Sequence, residues 1–173
     1  MMIMKGEERI NSILNDFLKE FDCEVCLDTD FAYYSNKNLI TYTFICGNAF
    51  DVLFNNVVNL LCPYVKCDLF LWSLLHELGH HETIDNISDE DYAYCQDEKE
   101  RIAQALSGLT REENEKKYDN IANSYFFLPD EIAATAWAID FVTKNTYKVK
   151  KLWNKLQPAI MDFYQENEIE MED

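Results

Sequence analysis

Several things are scarce in this chain, and each shortage excludes something. Of 173 residues only 4 are Gly and 3 are Pro, which excludes collagen-like and Pro/Gly-rich low-complexity architectures. No internal repeat or linker interrupts the pattern. Basic residues are few: 15 Lys and Arg stand against 32 Asp and Glu, for a net charge of −17. So acidic a chain repels phosphate backbones and anionic membrane surfaces, so neither direct nucleic-acid binding nor membrane binding is expected. Long apolar runs are also missing. The densest, from Asp68 to Leu75, falls far short of the roughly 20 residues of a spanning helix. The first residues, Met1 to Glu8, lack the apolar run and small-residue cleavage site of a secretion signal. A cytoplasmic chain is therefore expected, with its 6 Cys mostly reduced.

Apolar residues, by contrast, make up 48 % of the chain and aromatic residues 14 %, enough for a real core. The length favours one domain, read here as residues 1–165, followed by an acidic, flexible tail over 166–173. Ile10, Ile13, Leu14, Phe17, Leu18 and Phe21 follow helical spacing and predict a helix over 7–20. Residues 23–27 read as a short strand. Residues 31–35 and 39–45, rich in Tyr, Thr, Ile and Phe, flank Asn36-Lys37-Asn38 and predict a β-hairpin. Phe50 to Leu61 has helical spacing again, closed by Pro63. Further helices are expected over 66–82, from the Ser88 cap to Gly108, from a capping box at Thr110, from Pro129 to Asn145, and over 147–165 with a break at Pro158. The fold class is α+β: mainly helical, with a small N-terminal β-sheet or hairpin expected to pack on the helix that carries the histidines.

All 3 histidines fall in His76-Glu77-Leu78-Gly79-His80-His81. His76 and His80 are four apart, so on a helix they lie one turn above each other on one face. Two imidazoles so placed can reach one Zn²⁺ at about 2.0–2.1 Å each. Glu77 is offset by one residue, which suits a base acting on metal-activated water. His81 could also act as a donor, but it points about 100° away and is expected at the cleft rim or the surface.

Two histidines leave a tetrahedral zinc short of a protein ligand. A metzincin would need Gly at 83 and His at 86, where the chain has Thr83 and Asn86. The third ligand must be a carboxylate or a Cys. Glu131 leads, because it stands on a helix otherwise almost free of charge, among small Ala residues that permit close helix approach. Glu100 is the rival, although Asp97, Glu98, Lys99 and Arg101 around it read as a solvated face. Tyr125, shortly before Glu131, is a candidate donor to the oxyanion. Cys23-x-x-Cys26 and Cys62-x₄-Cys67 could together suggest a four-Cys zinc site, but Cys23 and Cys26 fall in or beside a strand without the Gly/Pro-rich knuckle of such sites, so free thiols are expected.

The histidine stretch, taken with Glu131-x-x-Ala134-x-x-Trp137-Ala138, resembles the gluzincin metallopeptidases. Among these it is similar to the small soluble ImmA/IrrE group of phage-regulatory and stress-response peptidases. The similarity spans residues 30–145 and rests on the two motifs. It implies a zincin-like fold, zinc ligands His76, His80 and Glu131, Glu77 as base and proton shuttle, and a regulatory protein such as a repressor as substrate. Two features depart from that pattern. Thr135 stands where many gluzincins have an Asp that orients the first histidine, so support for His76 is expected from elsewhere. An acidic helical insertion lengthens the stretch between His80 and Glu131.

The leading expectation is thus a zinc-dependent endopeptidase acting on a protein or peptide, with a basic DNA-binding regulator as the partner suited to its charge. The alternative, from another class, is a non-catalytic acidic interaction protein, such as a DNA mimic, that keeps the fold for stability.

Overall fold

A computed structural model describes residues 6–44, 58, 60 and 67–167. Seen through these residues the protein is mainly helical with a small N-terminal sheet, an α+β fold. It comprises two compact units, Met1–Thr43 with Phe141–Asp173, and Phe44–Asp140. The helix expected from Phe50 to Leu61, its closure at Pro63, and most of the tail over 166–173 lie outside the described residues. No described helix is long and apolar enough to cross a membrane.

In the first unit, helix α1 (Glu7–Leu18) buries Ile10, Leu14, Phe17 and Leu18 along one stripe. Glu7 and Glu8 occupy its first turn, where the helix dipole favours acid. A 3₁₀ turn over Lys19–Phe21 follows, and Asp22 at φ 52 ends it in the left-handed region. The sheet contains β1 (Glu24–Leu27), β2 (Ala32–Tyr34) and β3 (Leu39–Tyr42) in the order β1-β3-β2. The expected hairpin forms: β2 and β3 pair antiparallel with Tyr34 opposite Leu39. Asn38 takes φ 46 at the turn, which Asn tolerates better than most residues. β1 lies parallel to β3 with Val25 opposite Ile40. Asn15 in α1 accepts a hydrogen bond from the Val25 amide at 3.0 Å, and Tyr42 Oη donates to Asn11 Oδ1 at 2.9 Å. These bonds tie the sheet to α1.

The last helix, α6 (Thr146–Glu166), corrects the sequence reading, because Pro158 does not break it. Val149, Leu152, Leu156, Ala159 and Phe163 are buried on both sides of the proline. Pro158 itself is exposed. One continuous apolar stripe therefore outweighs the missing N–H and the strain of the ring, a cost of about 3 kcal/mol.

In the second unit, α2 (Leu69–Thr83) starts at Asp68, whose side chain accepts from the Phe70 amide at 2.8 Å. Phe70, Leu71, Trp72, Leu74, Leu75 and Leu78 are all buried, the mark of a central helix. Helix α3 (Asp89–Leu106) begins at the expected Ser88 cap, which accepts from the Asp91 amide at 3.1 Å. Only Cys95 and Ile102 of α3 are buried, in a cluster with Leu128 that Leu106, Ile121 and Tyr125 border. Helix α4 (Arg111–Phe126) departs from expectation at its start. Thr110 makes no side-chain cap, and Asn114 has non-helical angles of φ −141 and ψ 42. Arg111 instead forks onto Asp119 at 2.8 and 3.1 Å. Helix α5 (Pro129–Lys144) opens with Pro and two acids, as predicted.

Candidate metal centre

Two helices build the site, with residues that all fall in the second unit. Along α2, the four-residue spacing stacks His76 and His80 on one face, with ring centroids 4.8 Å apart and planes at 85°. Along α5, Glu131 sits in the first turn. The two helices touch at Gly79 and Ala134, and there is no room between them: a Cβ on Gly79 would stand 2.4 Å from the Ala134 carbonyl oxygen. Gly79, inside the histidine motif, is thus the residue that lets Glu131 come within reach.

Glu131 is fully buried. Its Oε2 lies 2.8 Å from His76 Nε2 and its Oε1 lies 3.4 Å from His80 Nε2. His76, His80 and Glu131 each offer one ligand atom, all within 4.8 Å of one another, a group that could hold a metal ion. Glu100 is not part of it: it is exposed and accepts from Gln104 at 3.2 Å. His81 also stays apart, with its Nε2 3.6 Å from Glu82. Comparison of the chain with protein-family profiles, with curated proteins and with solved structures finds no match.

The donor set is two imidazole nitrogens and one carboxylate, which is borderline-soft chemistry suited to zinc and other first-row ions. Burial pushes the Glu131 carboxyl up, but hydrogen bonds and charge from His76 and His80 outweigh it and hold the group well below the usual range. The Glu131 side chain is therefore a carboxylate anion.

Support for His76 comes from Thr135 itself rather than from elsewhere, which corrects the expectation drawn from the missing Asp. Thr135 Oγ1 lies 3.1 Å from His76 Nδ1, and both side chains are buried. One turn of α5 separates Thr135 from Glu131, so the helix that supplies the carboxylate also supplies the hydroxyl that fixes the ring. A neutral hydroxyl thus occupies the place where an acid was expected.

A second correction concerns Lys99, which the sequence assigned to a solvated face. Its side chain is only 20 % exposed, and Nζ lies 2.6 Å from Asp130 Oδ2 and 2.5 Å from Glu131 Oε1. The contact to Oε1 is one of charge, without hydrogen-bond geometry. Burial pushes the Lys99 ammonium down, and the Glu131 charge with the close contacts to both acids more than restores it. Asp130 is 3 % exposed and also accepts from the Glu131 amide at 2.9 Å. The signal for Lys99 was present in the sequence: Cys95, Lys99, Ile102 and Leu106 share one helical stripe, whose other members face the core.

Tyr125 lies under Lys99, whose Nζ is 5.2 Å from the ring centroid. Burial pushes the phenol far up, and the charges of Glu131 and Glu77 and a hydrogen bond to Glu131 act in the same direction. It stays protonated and is a donor at any ordinary pH. Glu77 is half-buried on α2 and close enough to Tyr125 for its charge to be felt.

Proposed function

We propose that this chain is a zinc-dependent peptidase of the gluzincin type, similar to the ImmA/IrrE group, working in the cytoplasm on a regulatory protein. The observation that carries the reading is the convergence of His76, His80 and Glu131 from two helices onto one point. His76 Nε2, His80 Nε2 and a Glu131 oxygen would hold the ion, with His76 Nδ1–H donating to Thr135 Oγ1. Zinc bound there supplies polarisation of a water and of the scissile carbonyl. Glu77 accepts the proton of the attacking water and delivers it to the leaving amine. The Tyr125 hydroxyl donates to the oxyanion as it develops. Three protein ligands would leave a position open to water, which favours catalysis over a closed structural site.

The excess of acid, with α3 opening on Asp89, Glu90 and Asp91, suits a basic substrate such as a DNA-binding regulator. The second reading, a non-catalytic acidic interaction protein, draws on the Lys99 contacts, which balance part of the buried charge without any metal.

The deciding experiment measures zinc content and cleavage of a basic regulator and a peptide library, with Glu77→Gln beside the parent. The peptidase reading expects near-stoichiometric zinc in both proteins and cleavage by the parent alone. Absence of zinc from the parent would falsify the metal centre. Equal cleavage by both would remove Glu77 as base.

A further inference from the structure

We propose that Lys99 is the resident counter-cation of the site, neutralising Glu131 and Asp130 before metal arrives and thereby weakening the affinity for a divalent ion. This rests on the reading that His76, His80 and Glu131 hold a metal. Asp130 and Glu131 are adjacent in sequence and almost completely buried, at 3 % and 0 % exposure. Two carboxylates out of water need positive charge nearby. Lys99 reaches both from a different helix, at 2.6 and 2.5 Å, from a position that helical spacing places on the stripe of Cys95, Ile102 and Leu106. The Tyr125 ring beneath the ammonium, 5.2 Å to its centroid, adds a cation–π contact.

The charge count gives the direction. Asp130, Glu131 and Lys99 together carry one net negative charge. A divalent ion added to them leaves one net positive charge in a buried place. Without Lys99 the same ion would neutralise the two carboxylates. Lys99 and the metal therefore compete for the Glu131 charge: the lysine holds the metal-free chain together and lowers its affinity for metal. Asp130 works in the opposite sense, because it draws the lysine charge away from Glu131.

The test uses the full-length chain stripped with a chelator, Zn²⁺ as the probe, competition with a chromophoric chelator at fixed pH, and melting with and without zinc. Lys99→Met is expected to lower the melting temperature of the metal-free protein by about 10 °C. It is expected to tighten zinc binding about tenfold or more, with a larger zinc-induced rise in melting temperature than the parent shows. Asp130→Asn keeps the cap on the Glu131 amide and is expected to weaken zinc binding about tenfold. Zinc affinity in Lys99→Met equal to or weaker than the parent's overturns the proposal. If Lys99→Met does not fold without metal, Asp130→Asn decides, and unchanged or tighter binding overturns it. A parent chain that binds no zinc removes the metal reading itself, an outcome separate from either variant result.

Discussion

Replacing Gly79 by Ala should damage this protein even though helix propensity says the reverse. In an exposed helix interior the change gains about 1 kcal/mol. At position 79, however, the new Cβ would stand 2.4 Å from the Ala134 carbonyl oxygen and 2.9 Å from the Ala134 C and Cα atoms. Non-bonded heavy atoms settle near about 3.5 Å, so α2 and α5 must separate by roughly 1 Å at this crossing. The obstructing atoms are backbone, and no rotamer change relieves them. Overpacking of this kind costs about 1–3 kcal/mol, with backbone obstruction at the upper end, so the net change is about 2 kcal/mol of destabilisation. For a chain of this length that is about 4–8 °C in melting temperature. The same separation draws Glu131 away from His76 and His80, whereas ligand distances tolerate only about 0.2 Å. Zinc affinity should fall at least about a hundredfold. Circular-dichroism melts and chelator competition on Gly79→Ala read both effects. Because the clash is with backbone, adding Ala134→Gly should not rescue it. A variant that melts at or above the parent and binds zinc unchanged would refute the close-contact argument, as would full rescue by Ala134→Gly.

Thr135→Val removes the hydroxyl from His76 Nδ1 at nearly constant volume and should weaken zinc binding about tenfold, seen by the same competition titration with little change in fold. Thr135→Asp places an acid beside the ring and should tighten zinc binding while lowering the melting temperature of the metal-free protein, which gains one more buried carboxylate. Pro158→Ala should stabilise the chain by about 1–3 kcal/mol in thermal melts, since the exposed proline sits inside a continuous helix. A lower melting temperature would show that α6 needs a bend there. Burial pushes the Cys23 thiol up from an ordinary 9.0 to about 11, and its Sγ–H donates to the Asn38 carbonyl at 3.1 Å. Its folded pKa is raised, so stability is fully present below the unfolded thiol pKa and declines as pH rises from about 9 towards 11. Iodoacetamide should label it about a hundredfold more slowly than an exposed thiol, and rapid labelling in the folded protein at pH 8 would contradict this.

What could be read from the sequence and what could not divide along physical lines. The shared face of His76 and His80 was legible because one helix sets it, and 3.6 residues per turn leaves no freedom. The β2–β3 hairpin was legible for the same reason, since its register depends on a short turn. Glu131 was nearly as clear, because a charge among Ala residues is expensive unless something answers it. Thr135, Lys99 and Asp130 were harder. Each depends on which face of one helix meets another, and a hydroxyl or a lysine in an acidic stretch carries no local mark of burial. The charged neighbours of Lys99 in sequence point to solvent, whereas its neighbours at three and four positions, Ile102 and Cys95, are buried. Pro158 differs in the other direction: the local rule against proline yields to the buried stripe from Val149 to Phe163. In both places the helical face outweighs sequence adjacency. The same rule explains why Gly79 matters. Within the histidine motif it is the one residue without a side chain, and the face it leaves bare is where the backbone of α5 must pass if the carboxylate is to reach the histidines.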